Sequence, residues 1–447
     1  MEPSQLLGAS FACDCGRRHT VPTKHLIYDA EAFSKLPPLA EEYIGGRGFL
    51  VVADQRTFEV AGRRVLENLR SAGLKGACFL VPDGEDGSPV ADDRTRDLIR
   101  SGTEPADLYI SVGSGVINDL VKWVAYLEDS PYLCVATAAS MNGYASANVA
   151  ATVDGLKVLF HARAPEAVIV YPDIIMNAPH EPTMSGLGDV LAKPVSSADW
   201  KLNQLLFDDY YCQFSVDLLR DLEPVYLDNP QDLREEKEEG FAALFKALLY
   251  SSIAMTVTGT SSPASGGEHL ISHTLDIVAA RDGQTHDLHG RQVGVSSILM
   301  AALYERILAI NRPRFVEPPS RVNREYWGSL SDIVAGEYEK KLPKMHLAAS
   351  LLVRPGQWRR LQEAIVPNLM PAKRLKHCLE QGGGAHRFSD IRRDGQALSR
   401  EDFLLAAGCA HQMRARFTVL DLAVLLGMVP DEIEELCDRW IGHQARS

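Results

Sequence analysis

The chain has 447 residues, 46% of them hydrophobic and 23% charged, with a formal net charge of −13. That length allows two or three domains with sizeable cores, and the composition is that of an ordinary globular protein rather than a disordered or membrane one. The negative excess argues against nucleic acid as a partner, although a local Arg or Lys can still hold one small anion. No apolar run comes near the roughly 18 to 20 residues that cross a bilayer, and no basic-then-apolar leader opens the chain. No membrane span and a cytoplasmic location are therefore expected.

In chain order, the first feature is CDCGRRH, with Cys13, Cys15 and His19. Zinc sites favour Cys-x-x-Cys spacing with a second pair nearby, so a terminal turn or strand is expected here rather than a metal site. The remaining cysteines stand singly, several inside apolar runs, and read as small buried hydrophobes. From FLVVAD (49–54) onward, short β-rich runs alternate with helical stretches: ACFLV, then a helix near DDRTRDLIRSG, DLYISVG, VINDLVKWVAYL and YLCVAT. Alternation of this kind predicts a parallel, doubly wound sheet. A hairpin through Asp154-Gly155 and one more strand follow. From about residue 180 long amphipathic runs and almost no strand signal predict an all-helical second half. Two domains are expected, an α/β Rossmann-like domain over 1–178 and an all-α domain over 179–447, packed with a cleft between them.

The stretch LYISVGSGVINDLVK puts Gly113, Ser114 and Gly115 between a strand and a helix. Backbone N–H groups and the positive end of a helix dipole then converge on one point, which suits a pyrophosphate. Asn118 stands where the usual third glycine would be, so a tight turn with nothing bound is the competing reading. Asp54 ends the first strong strand. A carboxylate there can accept both ribose hydroxyls and repel a 2′-phosphate, favouring NAD over NADP, but a helix cap would look the same.

His269 and His273, in SGGEHLISHTLD, lie one helical turn apart, and His289 follows before Gly290. A catalytic metal site wants about three protein ligands and an open position, so a third, carboxylate ligand is needed. Asp189, after two glycines in MSGLGDVLAKPVSSADW, is available. Spacing alone leaves this open, because histidines at i and i+4 arise by chance in a chain with 13 of them.

Four segments in order, VGSGVINDLVK, ATAASMNGYASANVA, APHEPTMSGLGDVLAKPVSSADW and SGGEHLISHTLD…HGRQVGV, resemble the bacterial branch of the sn-glycerol-1-phosphate dehydrogenases. That family lies within the superfamily of iron-type alcohol dehydrogenases, glycerol dehydrogenases and dehydroquinate synthases. The resemblance implies a dehydroquinate synthase-like fold with the active site in the cleft. It implies Asp189, His269 and His289 as metal ligands, with His273 beside the metal or the substrate. It implies Gly113, Ser114 and Gly115 as the pyrophosphate turn, with Asp119, Lys122, Thr137 and Ser140 also on the cofactor side. Asn142 departs from the Asp expected in SMDGYAS, which removes a charge and any acid–base role beside the substrate hydroxyls.

The implied reaction is the reversible NAD(P)H-dependent reduction of dihydroxyacetone phosphate to sn-glycerol 1-phosphate. One divalent ion, zinc or nickel with iron also admissible, would serve as Lewis acid. Lys193 and Arg291 are candidate cations for the substrate phosphate, and a homodimer is expected. A glycerol or other polyol dehydrogenase, a dehydroquinate synthase-like lyase that recycles NAD, and a nucleotide-binding protein without turnover are the alternatives.

Overall fold

A computed structural model describes residues 5–84, 87–153 and 156–442. Ten strands occupy the first part of the chain: β1 Ser10–Ala12, β2 Arg18–Thr20, β3 His25–Tyr28, β4 Phe49–Asp54, β5 Gly76–Val81, β6 Leu108–Gly113, β7 Tyr132–Ala136, β8 Asn148–Val153, β9 Leu156–His161 and β10 Ala167–Val170. Six form one sheet in the order β3-β10-β7-β6-β4-β5, and every pair is parallel. β4, β6 and β7 are buried along their whole length, as continuous apolar runs with helices on both faces should be. β3 is the strand the sequence pattern did not announce. At four residues, HLIY, it is too short to show a period.

The chain forms two compact units that interleave in sequence. The first comprises Met1–Gly186, Asp217–Tyr226 and Asp232–Thr260. Sequence pattern suggested a single boundary at 178/179; instead the helix Glu238–Thr258 returns to the first unit. There the Phe245 ring packs at a tilt against those of Tyr28 and Tyr144, and Ser252 and Thr256 accept the backbone N–H groups of Ala145 and Ala147. By length and composition this helix is apolar enough to cross a membrane, which the search for apolar runs did not anticipate, but 72% of its apolar window is buried inside the protein. A helix apolar on all sides is what a core position requires.

β8 and β9 pair antiparallel, as the expected hairpin would; its Asp154-Gly155 turn lies outside the described residues. The β1–β2 pair is a second hairpin, with Cys13 to Arg17 as its turn. The helix predicted after β4 is interrupted by a π-helical turn over Phe58–Gly62, between Gln55–Thr57 and Arg63–Ser71.

The second unit comprises Leu187–Val216, Leu227–Gln231 and Ser261–Ser447. Among its described residues it is helical apart from a two-residue strand pair, Arg392–Arg393 with Gln396–Ala397. Its central helix, His289–Leu308, packs against Gly267–Arg281 and Ala372–Gly382 and buries side chains all round from Gly290 to Tyr304.

Candidate functional site

In the second unit, Asp189 lies near the end of the helix His180–Val190, His269 in the first turn of Gly267–Arg281, and His289 opens His289–Leu308. One ligating atom from each lies within 4.8 Å of the other two. Glycine makes this approach possible: a Cβ on Gly188 would stand 2.0 Å from the carbonyl oxygen of Gly290. His269 Nε2 is 3.6 Å from Asp189 Oδ1. The His273 ring centroid is 6.0 Å from that of His269 and 5.6 Å from that of His289. His273 thus stands beside the three-residue group and outside its donor set.

Both ring tautomers follow from hydrogen bonding. His269 Nδ1 is 2.7 Å from Glu268 Oε1, a carboxylate that can only accept. Ser272 Oγ gives its single proton to Gln292 Oε1, so it must accept from His289 Nδ1, 3.1 Å away. The two Nε2 lone pairs are left for a common ligand, the arrangement found behind metal-bound imidazoles. Burial alone would keep His269 neutral, yet bonds to Asp189 and Glu268 prevail and raise its pKa to about 9. An ion bound there would take the place of that proton on Nε2, beside Asp189 Oδ1. The donor set, one carboxylate and two imidazoles, fits a borderline divalent metal.

In the first unit, the helix Gly115–Leu127 starts at Ser114 with no side-chain cap and no acidic residue in its first turn. Its leading N–H groups are thus not taken by a carboxylate, as an anion site requires. A Cβ on Gly113 would lie 2.7 Å from Ile117 Cβ, so the turn needs glycine there. The 137–146 loop lies over the turn: Thr137 N–H donates to the Gly113 carbonyl at 3.2 Å, and a Cβ on Gly115 would meet Met141 Cγ at 3.6 Å. Ser140 Oγ is 3.4 Å from the Tyr144 hydroxyl, and Asn142 is half-buried in the same loop.

Asp119 and Lys122 work from beneath. Lys122 is 0% exposed and bonds Asp119 Oδ1 at 2.9 Å, the carbonyls of Gly143 and Asn148 at 3.1 and 2.8 Å, and Ser146 Oγ at 3.3 Å. Asp119 Oδ2 accepts from Ala150 N–H at 3.1 Å. Together they hold the loop. Asp54 caps the next helix, accepting from Thr57 N–H at 2.9 Å while Thr57 Oγ1 accepts from Asp54 N–H. Arg56, the residue that could invite a 2′-phosphate, is bonded to Asp83 at 2.6 Å.

A family profile for iron-containing alcohol dehydrogenases matches residues 27–179. The glycerol-1-phosphate dehydrogenase of Geobacillus stearothermophilus is 30% identical over 348 residues, covering 77% of this chain and 86% of that one. This chain belongs to the glycerol-1-phosphate dehydrogenase family. The enzyme of that name from Halalkalibacterium halodurans is 28% identical over 91% of this chain and 94% of its own length. Among solved structures, an archaeal Red Sea brine pool alcohol dehydrogenase aligns with TM-score 0.58 at 14% identity, over 95% of this chain and 98% of that one. The iron-containing alcohol dehydrogenase of Thermotoga maritima aligns with TM-score 0.55 at 14% identity, over 95% and 99%. At such identities the likeness establishes the fold: a parallel-sheet α/β part followed by a helical part.

In this glycerol-1-phosphate dehydrogenase family member, sequence reasoning passed over the layer behind the histidines. Glu268, fully buried, accepts from Gly266 N–H and the His269 ring at 2.7 Å each, and its Oε2 has no hydrogen-bond partner among the described residues. Asp199, also buried, accepts from Gly267 N–H at 2.7 Å, Val419 N–H at 2.8 Å and the Tyr304 hydroxyl. It thereby fixes the start of the helix that carries His269. Burial, then the charge of Glu268, pushes the Asp199 pKa up to about 7. The strings GGEH and SADW held both carboxylates. Nothing in their spacing says they meet, since 68 residues separate Asp199 from Gly267.

The two candidate phosphate cations are both engaged. Arg291 pairs with Asp287 at 3.0 Å and bonds the Asp390 carbonyl. Lys193, 4% exposed, donates to the Ser215 carbonyl at 3.5 Å.

Proposed function

We propose that the protein reduces dihydroxyacetone phosphate to sn-glycerol 1-phosphate, reversibly, with NAD(P)H as hydride donor. The reading rests on membership of a family whose named relatives are glycerol-1-phosphate dehydrogenases using NAD(P)+, together with the convergence of Asp189, His269 and His289. Those three residues would hold one divalent ion, zinc or nickel before iron. When bound, the ion supplies a Lewis acid for the C2 oxygen, which becomes charged as hydride arrives at carbon. Glu268 and Ser272 keep the two imidazoles in the liganding tautomer. His273, outside the donor set, is assigned to the proton that the C2 oxygen gains.

The first unit would take the nucleotide at Gly113, Ser114 and Gly115, with Thr137 and Ser140 lining it and Asp119 and Lys122 bracing the loop. NAD is favoured over NADP because Asp54 is acidic and Arg56 is occupied by Asp83. Lys193 and Arg291 remain the two candidates for the substrate phosphate. Asn142 keeps the size and hydrogen bonding of the expected Asp without its charge. A cytoplasmic homodimer completes the proposal.

The test is NADH oxidation by purified protein with dihydroxyacetone phosphate, before and after chelation. Oxidation lost on chelation and restored by zinc or nickel supports the reading. No oxidation by metal-replete protein sinks the proposed substrate. Turnover of substrate without net change in nicotinamide absorbance would instead indicate the lyase.

A further inference from the structure

The β1–β2 hairpin carries donors for which the proposed reaction has no use. Cys13 N–H donates to the Arg17 carbonyl at 3.0 Å, and Gly16 N–H donates back to the Cys13 carbonyl at 2.9 Å. Gly16 sits at φ +83°, the left-handed conformation that closes this turn and that glycine adopts without strain. Across the hairpin His19 comes from β2 and is 1% exposed. Its Nδ1 lies 2.8 Å from the Val257 carbonyl, which can only accept, so Nδ1 carries the proton. The Nε2 lone pair therefore faces Cys15 Sγ, 3.3 Å away.

Cys13 Sγ, Cys15 Sγ and His19 Nε2 all lie within 4.8 Å of one another, and no cysteine of the chain is in a disulfide. With metal–sulfur bonds of about 2.3 Å and metal–nitrogen bonds of about 2.0 Å, donors at tetrahedral corners stand roughly 3.5 to 3.8 Å apart. The three donors need little movement to reach that spacing. The Val257 carbonyl behind the imidazole is the outer contact that ligating histidines use to hold their tautomer.

We propose that Cys13, Cys15 and His19 bind a zinc ion, structural in role and separate from the ion assigned to Asp189, His269 and His289. Two thiolates and an imidazole select a soft or borderline metal and disfavour magnesium or calcium. One further donor completes the tetrahedron. The ion would fasten the hairpin and, through His19 and Val257, strengthen its hold on the helix Glu238–Thr258. The sequence shows these three donors as a cluster without the usual Cys-x-x-Cys spacing; the fold adds the orientation of the imidazole, set by the Val257 carbonyl.

Metal content of the purified full-length chain, measured by plasma mass spectrometry after growth with zinc, tests the site. Wild type should hold two equivalents, C13S/C15S one and Asp189→Asn one, the cysteine variant losing zinc alone. Unchanged metal content in C13S/C15S would overturn the hairpin site and leave the proposed function standing. Loss in C13S/C15S with no loss in Asp189→Asn would do the reverse. Should the cysteine variant fail to fold, wild type reconstituted with cobalt(II) chloride answers alone. Sulfur-to-cobalt charge-transfer absorption is expected, since the Asp189 group contains no sulfur ligand, and its absence overturns the site.

Discussion

The glycine turn of the first unit and the histidine group of the second are built on opposite electrostatic plans. Around Gly113–Gly115 the ligand-facing groups are backbone N–H donors, and the charged side chains nearby, Lys122 and Asp119, are spent on each other and on the loop. Around Asp189 the groups are side chains, and a second carboxylate, Glu268, stands behind the His269 imidazole. The first plan suits an anion and the second a cation. An anion site can be made from a helix start and small residues, since dipoles are already in place. A cation site needs carboxylates kept charged in a dry interior, which takes a surrounding network.

The largest expected effect comes from removing the second plan's ligand. Asp189→Asn should cost metal and lower kcat/KM by about 10³-fold, the several kcal/mol attributed to a Lewis-acid ion; metal content and NADH oxidation measured together check it. Equal metal binding in the variant would mean that the carboxylate is no ligand.

Lys122→Met breaks the first plan from below. It strips the Gly143 and Asn148 carbonyls and Asp119 of their partner, at a cost of about 3 kcal/mol. Urea unfolding should show the loss, and NAD affinity should fall while metal content stays at the wild-type value. Unchanged stability would show that water replaces the ammonium.

A smaller effect is expected from Glu268→Gln, which keeps the size but halves the acceptor capacity and removes the charge behind His269. Metal affinity should weaken by about 10- to 100-fold, read by competition with a chelator, with nucleotide binding untouched. Metal affinity equal to wild type would leave the carboxylate only a helix-capping part.

An effect confined to acid pH, and absent at neutral pH, concerns a buried group that belongs to neither plan. His411 has its pKa pushed down to about 3, by burial first and by the charge of Lys341 second. A depressed folded pKa favours the neutral ring. Its contribution to stability is therefore full above the unfolded value near 6.5 and is lost as pH falls from there toward 3. His411→Leu should flatten the acid limb of the stability profile by one proton between those limits, followed by urea titration at several pH values. An unchanged slope would place the acid sensitivity elsewhere.

Much of this was legible before any coordinates. The buried runs of β4, β6 and β7 announced a parallel sheet because a strand covered on both faces must be apolar throughout. The glycine turn was legible as a string, since glycine is required where a Cβ would collide with Ile117; Asp189, His269 and His289 were named by the family resemblance, their spacing alone having left them open. Asp199 behind the Gly267 helix start, Glu268 behind His269, and Lys122 beneath the 143–150 segment were decided by folding alone. So were the return of Glu238–Thr258 to the first unit and the contact of His19 with the Val257 carbonyl. Local pattern records what a residue does to its neighbours in the chain. A buried charge is stabilised by whatever partner the fold brings, and that partner can be tens or hundreds of residues away.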